Sequence, residues 1–329
     1  MYFNIEKDRS GIDPTLNRKE LAFMKPLTFT VKNAHRSFCS ALRRALMADV
    51  ITYAFDQIEI TRTNSVLFNS DIITHIIMGV PILPWKDLSD EELLMVRFTI
   101  DHEVSDNETI YRLTSNDIKS SNPKVSVFPD IPLFILRPGE HFTATITPNF
   151  GTARDDALKF GAVENVEYKW IDFSFDDNGH YLFDHDNKYK NEPNPIVEYM
   201  VSPVRNYDAL TTVKMAVQSI IDQLESLDNE LSNEEFNNIH VTSLDKSNDT
   251  EFIEILIDNA DDTIGNLLNC EMIVNTPDLF DVGSCAYQKD HPTRDLIRFK
   301  IRYTNPLELF HTAIKDQLQF CNDFLKDIN

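Results

Sequence analysis

The chain has 329 residues and carries 31 basic against 53 acidic side chains, a formal net charge of −22. A hydrophobic content of 42% with 22 phenylalanines excludes a disordered chain and suffices for two or three compact units with their own cores. So negative a surface repels a phosphate backbone, which argues against extensive direct nucleic-acid contact and suits docking onto basic partners.

Four cysteines, Cys39, Cys270, Cys285 and Cys321, form no CxxC pair and fit no zinc spacing. They read as buried thiols in a reducing compartment. The first 20 residues hold no apolar core of a signal peptide. No run approaches the ~20 apolar residues that span a bilayer. The expectation is a soluble intracellular protein with no membrane partner.

In chain order, residues 21–32 read as a strand, with Asn33 as the N-cap of a helix. Phe38, Ala41, Leu42, Ala45 and Leu46 share one face of that helix. Alternation of Phe55, Ile58 and Ile60 predicts a strand. A second helix runs from Asp71 to about Gly79, stopped by Gly79 and Pro81. Residues 93–150 look strand-rich, with a turn at Arg137-Pro138-Gly139-Glu140. A polar loop leads to about Pro195, and strand signals resume at Ile196.

From Tyr207 to Leu227 the spacing predicts a long amphipathic helix with Val213, Ile220 and Leu224 in its stripe. Residues 231–249 read as an acidic, polar linker. Beyond it lie a strand at 250–259, a short helix containing Leu267 and Leu268, and two strands. A terminal helix follows, with Phe310, Ile314, Leu318 and Phe324 in steps of three and four. The two long stripes need each other or another partner, because each is too long for a small sheet to cover. Both ends therefore look like a sheet plus a long helix.

Little in the chain speaks for catalysis. Asp71 and His75 stand four apart on one helix face and could serve acid–base or metal chemistry. No third ligand is near, and helix-start and packing roles account for both. Asp290-His291-Pro292 suits a turn between strands. Cys39 and Cys285 have no base poised beside them. No glycine-rich phosphate loop exists. No cofactor and no metal are expected. Arg43 and Arg44 are either two solvated cations or a fork for the carboxylates or carbonyls of a protein partner.

Residues 37–82, with Leu42-Arg43-Arg44-Ala45-Leu46, Asn64-Ser65-Val66-Leu67 and the His75 helix ending at Pro81, resemble the assembly-subunit signature of DNA-directed RNA polymerases. That family includes bacterial alpha, its archaeal D-type counterpart and the third-largest eukaryotic subunit. The Pro-Gly turn and Ala157-Leu158-Lys159-Phe160 continue the likeness. Asp262–Leu268 and Ala286–Pro292 resemble the small partner of that protein, the archaeal L type. The chain thus looks like both partners of the heterodimer fused end to end, as in polymerases of large cytoplasmic DNA viruses. Ile76 stands where the family has arginine, Asp156 where it has histidine, and Ala286 where it has glycine.

The resemblance implies an α+β fold of two alpha-like dimerisation halves, each a sheet plus a long helix, packed together. Residues 1–83 and 196–230 would form the first half, 84–195 an inserted β-rich domain, 231–249 a linker, and 250–329 the second half. Pairing would bury Phe38, Leu42, Leu46, Val213, Ile220, Leu224, Leu267, Leu268, Phe310, Ile314, Leu318 and Phe324. The implied role is a non-catalytic platform for the two largest polymerase subunits, and for small polymerase subunits as further partners. Arg43, Arg44, Asn64 and His75 would form the docking face. No homo-oligomer is required. The location would be host cytoplasm and virion for a viral chain, otherwise the nucleus. Two rival readings are an acidic scaffold unrelated to transcription and a metal-dependent enzyme built on Asp71 and His75.

Overall fold

The computed structural model describes residues 3–6, 25–32, 34–65, 70–107, 109–170, 196–233, 237–246, 250–276, 279, 283–291 and 294–328. The first half opens with strands β1 (Phe3–Glu6) and β2 (Leu27–Val31) and helix α1 (Arg36–Ala48). It resumes with β9 (Val163–Trp170), β10 (Val197–Pro203) and α5 (Ala209–Asn233). The second half runs β11 (Ile239–Lys246), β12 (Glu251–Asp258), α6 (Asp262–Asn275), β13 (Ser284–Lys289), β14 (Leu296–Tyr303) and α7 (Pro306–Ile328). The strand orders are β1-β2-β10-β9 and β11-β12-β14-β13, with every neighbouring pair antiparallel. Each half is therefore strand, strand, helix, strand, strand, helix, wound the same way.

Each sheet turns one face to the helices. In β12, Ile253, Ile255 and Ile257 alternate inward, and in β14 Ile297, Phe299 and Ile301 do the same. Tyr199 in β10 stacks on Phe29 in β2 at 5.1 Å, and its hydroxyl donates to the Cys39 carbonyl at 2.7 Å. That bond pins α1 to its own sheet. Gly265 in α6 leaves room for Tyr287, whose ring would lie 2.8 Å from an added Cβ.

Between α1 and β9 the chain builds a separate lobe. Strands β3 (Thr52–Thr63), β4 (Phe98–Glu103), β6 (Lys119–Ser120) and β8 (His141–Gly151) form a sheet ordered β3-β8-β4-β6. Beside it β5 (Tyr111–Thr114) pairs with β7 (Pro132–Leu136). Helices α2 (Ser70–Met78) and α3 (Asp90–Leu94) belong to this lobe, and α4 (Ala157–Phe160) leads back to β9. The lobe has its own core, including Phe55, Ile77, Phe98, Phe142 and Ile146. The Pro-Gly turn before β8 places Gly139 at φ 77°, a conformation that favours glycine. The seam to the first half pairs an aromatic contact, Trp85 edge-on to Tyr207, with buried hydrogen bonds: the Asn206 side chain accepts from the Tyr53 N–H at 2.8 Å and donates to the Ile82 carbonyl at 3.0 Å. Arg205 reaches the Leu158 carbonyl at 2.7 Å.

Several boundaries differ from expectation. The lobe begins near Thr52, not residue 84, because β3 pairs along its length with β8. It ends before β9, which pairs with β10 in the first half's sheet; residues 171–195 lie outside the described residues. Leu93 and Leu94 are helical, not strand, because Ser89 and Glu92 form a capping box. Asn33 lies outside the described residues, and His35 caps α1, its Nδ1 accepting from the Ser37 N–H at 3.2 Å. The expected linker is largely structured: α5 continues to Asn233, and Ile239–Lys246 is an edge strand. The buried Glu230 carboxylate gathers the N–H groups of Asn237, Asn238 and Ile239 at 3.0, 2.8 and 3.2 Å. Such a nest converts a polar turn into a fixed corner.

Candidate functional site

The chemistry of the chain is concentrated where the two halves meet. Helix α5 packs on α7, α6 on α7, and α1 on both α5 and α6. One hydrophobic core runs through both halves and includes Phe38, Leu42, Leu46, Val213, Ile220, Leu224, Leu267, Leu268, Phe310, Ile314 and Phe324, with Leu318 partly buried against it. All twelve residues expected to pair the halves lie in or against this core. Phe38 sits edge-on between Phe320 and Phe324, with centroids 4.8 and 5.1 Å away. Ring pairs in this geometry contribute roughly 0.5–1.5 kcal/mol beyond burial. Ala41 and Ala45, both buried, give α1 a thin face against its neighbours.

A charged clasp closes one end of this seam. Arg44 on α1 donates from Nε to the Thr263 hydroxyl at 2.9 Å and from Nη2 to Asp261 Oδ2 at 3.0 Å. Asp261 is buried and caps α6, accepting from the Thr263 N–H at 2.8 Å. Arg154, on the return from the lobe, donates to Asp261 Oδ2 at 2.9 Å and to Asp49 Oδ1, and Asp49 is the C-cap of α1. The clasp thus ties together the first half, the lobe and the second half. Burial opposes the charge on Asp261, but hydrogen bonds from Thr263, the Arg154 charge and the Arg44 hydrogen bond outweigh it and hold the carboxyl at about 2. The Asp49 hydrogen bond keeps the Arg154 guanidinium above its ordinary range despite burial.

The sequence placed Arg43 and Arg44 on one docking edge, and the structure separates their roles. Arg44 turns toward the second half and leaves its side chain 43% exposed. Arg43 donates from Nε to the Val166 carbonyl of β9 at 3.3 Å. Beside them Met47 and Ile51 are 45% and 50% exposed. Asn64 faces the lobe, donating to the Gly139 carbonyl at 2.9 Å and accepting from the His141 N–H at 2.8 Å. Val66 and Leu67 lie outside the described residues, as does Pro292.

His75 and Asp71 are exposed on α2, and among the described residues no group of three metal-ligating side chains exists. Ile76 packs against the lobe core. Asp156 caps α4, accepting from the Leu158 and Lys159 N–H groups at 3.0 and 3.2 Å. Burial pushes the Cys39 thiol to about 11 and the Cys285 thiol to about 12, which disfavours the thiolate at neutral pH. Arg154 and Asp261 were missed from sequence. The run Asp261-Asp262-Thr263 carries a helix-cap signal, but nothing in it points to an arginine 217 residues away.

Two like-wound halves share one helical seam. Residues 253–327 match the family model described as the RNA polymerase Rpb3/Rpb11 dimerisation domain. The chain is 32% identical over 152 residues to DNA-directed RNA polymerase subunit Rpo3 of Pyrococcus furiosus, covering 45% of this chain and 56% of that protein. It is 31% identical over 135 residues to Rpo3 of Pyrococcus horikoshii, covering 40% and 51%. For Rpo3 of Thermococcus kodakarensis the figures are 29% over 133 residues, again 40% and 51%. The chain spans about half the length of these relatives. Each of these likenesses is to a subunit of DNA-directed RNA polymerase or to its dimerisation domain.

Proposed function

We propose that the chain is a non-catalytic assembly subunit of a DNA-directed RNA polymerase built from many subunits, with the two partners of the alpha-like dimer joined in one polypeptide. The observation that carries this reading is the repetition of one strand order in two halves around a single core. The family match in the second half and the likeness to Rpo3 proteins support it. Each buried Leu, Ile or Phe in the seam contributes roughly 1.5–3 kcal/mol. A seam of a dozen such residues makes a rigid base for larger neighbours.

The partners in this reading are the two largest polymerase subunits, and small polymerase subunits besides. The docking edge comprises Arg43 and the exposed side of Arg44, with the apolar Met47 and Ile51 beside them. Asn64, which orders the lobe turn, and His75, exposed on α2, extend it onto the lobe. Fusion of the halves suits a polymerase of a large cytoplasmic DNA virus, working in host cytoplasm and virion. The test is co-purification of tagged chain from its native source. Very large subunits in equal amounts support the reading. Met47→Asp with Arg43→Ala should leave the chain folded and reduce their recovery at least fivefold. Equal recovery by wild type and variant, or no large subunits at all, rejects it.

A further inference from the structure

Helices α1 and α6 occupy equivalent places in the two halves. Counted from their N-caps, His35 and Asp261, the buried positions coincide at +2, +3, +4, +6, +7 and +11. In α1 these are Ser37, Phe38, Cys39, Ala41, Leu42 and Leu46; in α6 they are Thr263, Ile264, Gly265, Leu267, Leu268 and Met272. The contacts across the seam are reciprocal as well. Arg44, at +9 of α1, bonds Thr263 at +2 of α6 and the Asp261 cap. Cys270, at +9 of α6, donates to Asn266 of its own helix at 3.5 Å and lies near enough to Ser37, at +2 of α1, for that hydroxyl to oppose the burial that raises its thiol; Ser37 is bonded to the His35 cap at 2.7 Å. The two ends of one pseudo-symmetric crossing therefore differ only in chemistry. One is arginine on aspartate; the other is a thiol near a hydroxyl.

We infer that the Arg44–Asp261 pair selects the partner, so that first half pairs with second half and not with the like half of another copy. The same geometry applied to two first halves sets each Arg44 against a His35 and Ser37, with no carboxylate. Applied to two second halves, it sets each Cys270 against an Asp261, leaving that buried carboxylate without the Arg44 cation. Mixed pairing satisfies one such ion pair per chain, and like pairing satisfies none. Discrimination by unpaired buried charge acts against the wrong partner more than for the right one. It is needed here because the apolar faces of α1 and α6 are so nearly alike. The inference stands on the fold alone and does not depend on the polymerase reading.

Two exchanges in the full chain test it. His35→Asp with Asp261→His interchanges the caps, so first halves become self-complementary and mixed pairing loses its ion pair. Arg44→Cys with Cys270→Arg, made together with Arg154→Ala so that no other cation reaches Asp261 in mixed contact, interchanges the +9 residues and makes second halves self-complementary. Per pair of chains, each exchange moves the balance from two pairs favouring mixed contact to two favouring like contact. At about tenfold per charged hydrogen-bonded pair, the swing is about ten-thousandfold. That is enough to compete with an intrachain effective concentration of about a millimolar. Light scattering after size-exclusion chromatography at about 100 μM should show monomeric wild type and dimeric exchange variants, with circular dichroism confirming that each is folded. Either folded variant suffices. Exchange variants as monomeric as wild type, or a wild type already dimeric, overturn the inference.

Discussion

Replacing Asp261 by asparagine removes the charge at the centre of the clasp while leaving a residue that caps helices well. The Thr263 N–H keeps an acceptor, but an uncharged one, so the loss reports what the negative charge gains from Thr263, Arg154 and Arg44 together. In the folded chain the carboxyl ionises at about 2, against about 3.9 when unfolded. The difference corresponds to roughly 2–3 kcal/mol. The folded value is the lower one, so this stability is fully present above about pH 4 and disappears as pH falls through about 2. Urea unfolding at pH 7 should place Asp261→Asn roughly 2–3 kcal/mol below wild type, with the gap closing as the buffer is taken from pH 4 toward pH 2. A gap below about 0.5 kcal/mol at neutral pH, well under the linkage value, would refute the reasoning. So would a gap that persists unchanged at the acid end.

Three further substitutions probe other parts of the fold. Phe324→Ala empties a fully buried site against Phe38 and should cost about 3–5 kcal/mol in denaturant unfolding; a cost under about 1 kcal/mol would show that the seam is loosely packed. Glu230→Ala leaves three N–H groups of the corner before β11 without their acceptor. Hydrogen exchange at Asn238 and Ile239 should accelerate, and stability should fall by about 1–3 kcal/mol. Asp156→Ala removes the cap of α4 and should cost about 1 kcal/mol, whereas Asp156→Asn should cost little, as measured by urea midpoint.

The long helices were legible because their apolar stripes are regular. Val213 to Leu227 and Phe310 to Ile328 keep one face over several turns, and burial follows that face. The last turns of α5 were lost because Asn229, Glu230 and Ser232 read as linker, and Glu230 is buried as a bonded anion rather than as an apolar side chain. Strand β11 was lost for a different reason. After Ile239 every residue in it is exposed, so no alternation exists to be read. The lobe boundary was misplaced because β3 carries the same period-two pattern whichever sheet receives it. The clasp is the extreme case: its members lie at positions 44, 49, 154 and 261, and only the fold brings them together.

The junction between the lobe and the first half has a thermodynamic consequence. Asn206 and Arg205 join two bodies that keep separate apolar interiors. These joints are buried and hydrogen-bonded, so they fix the two bodies in place, while the separate apolar interiors allow each to open as its own unit. Heating should therefore resolve two calorimetric transitions. The β-rich body then loses its structure at a different temperature from the coupled helices.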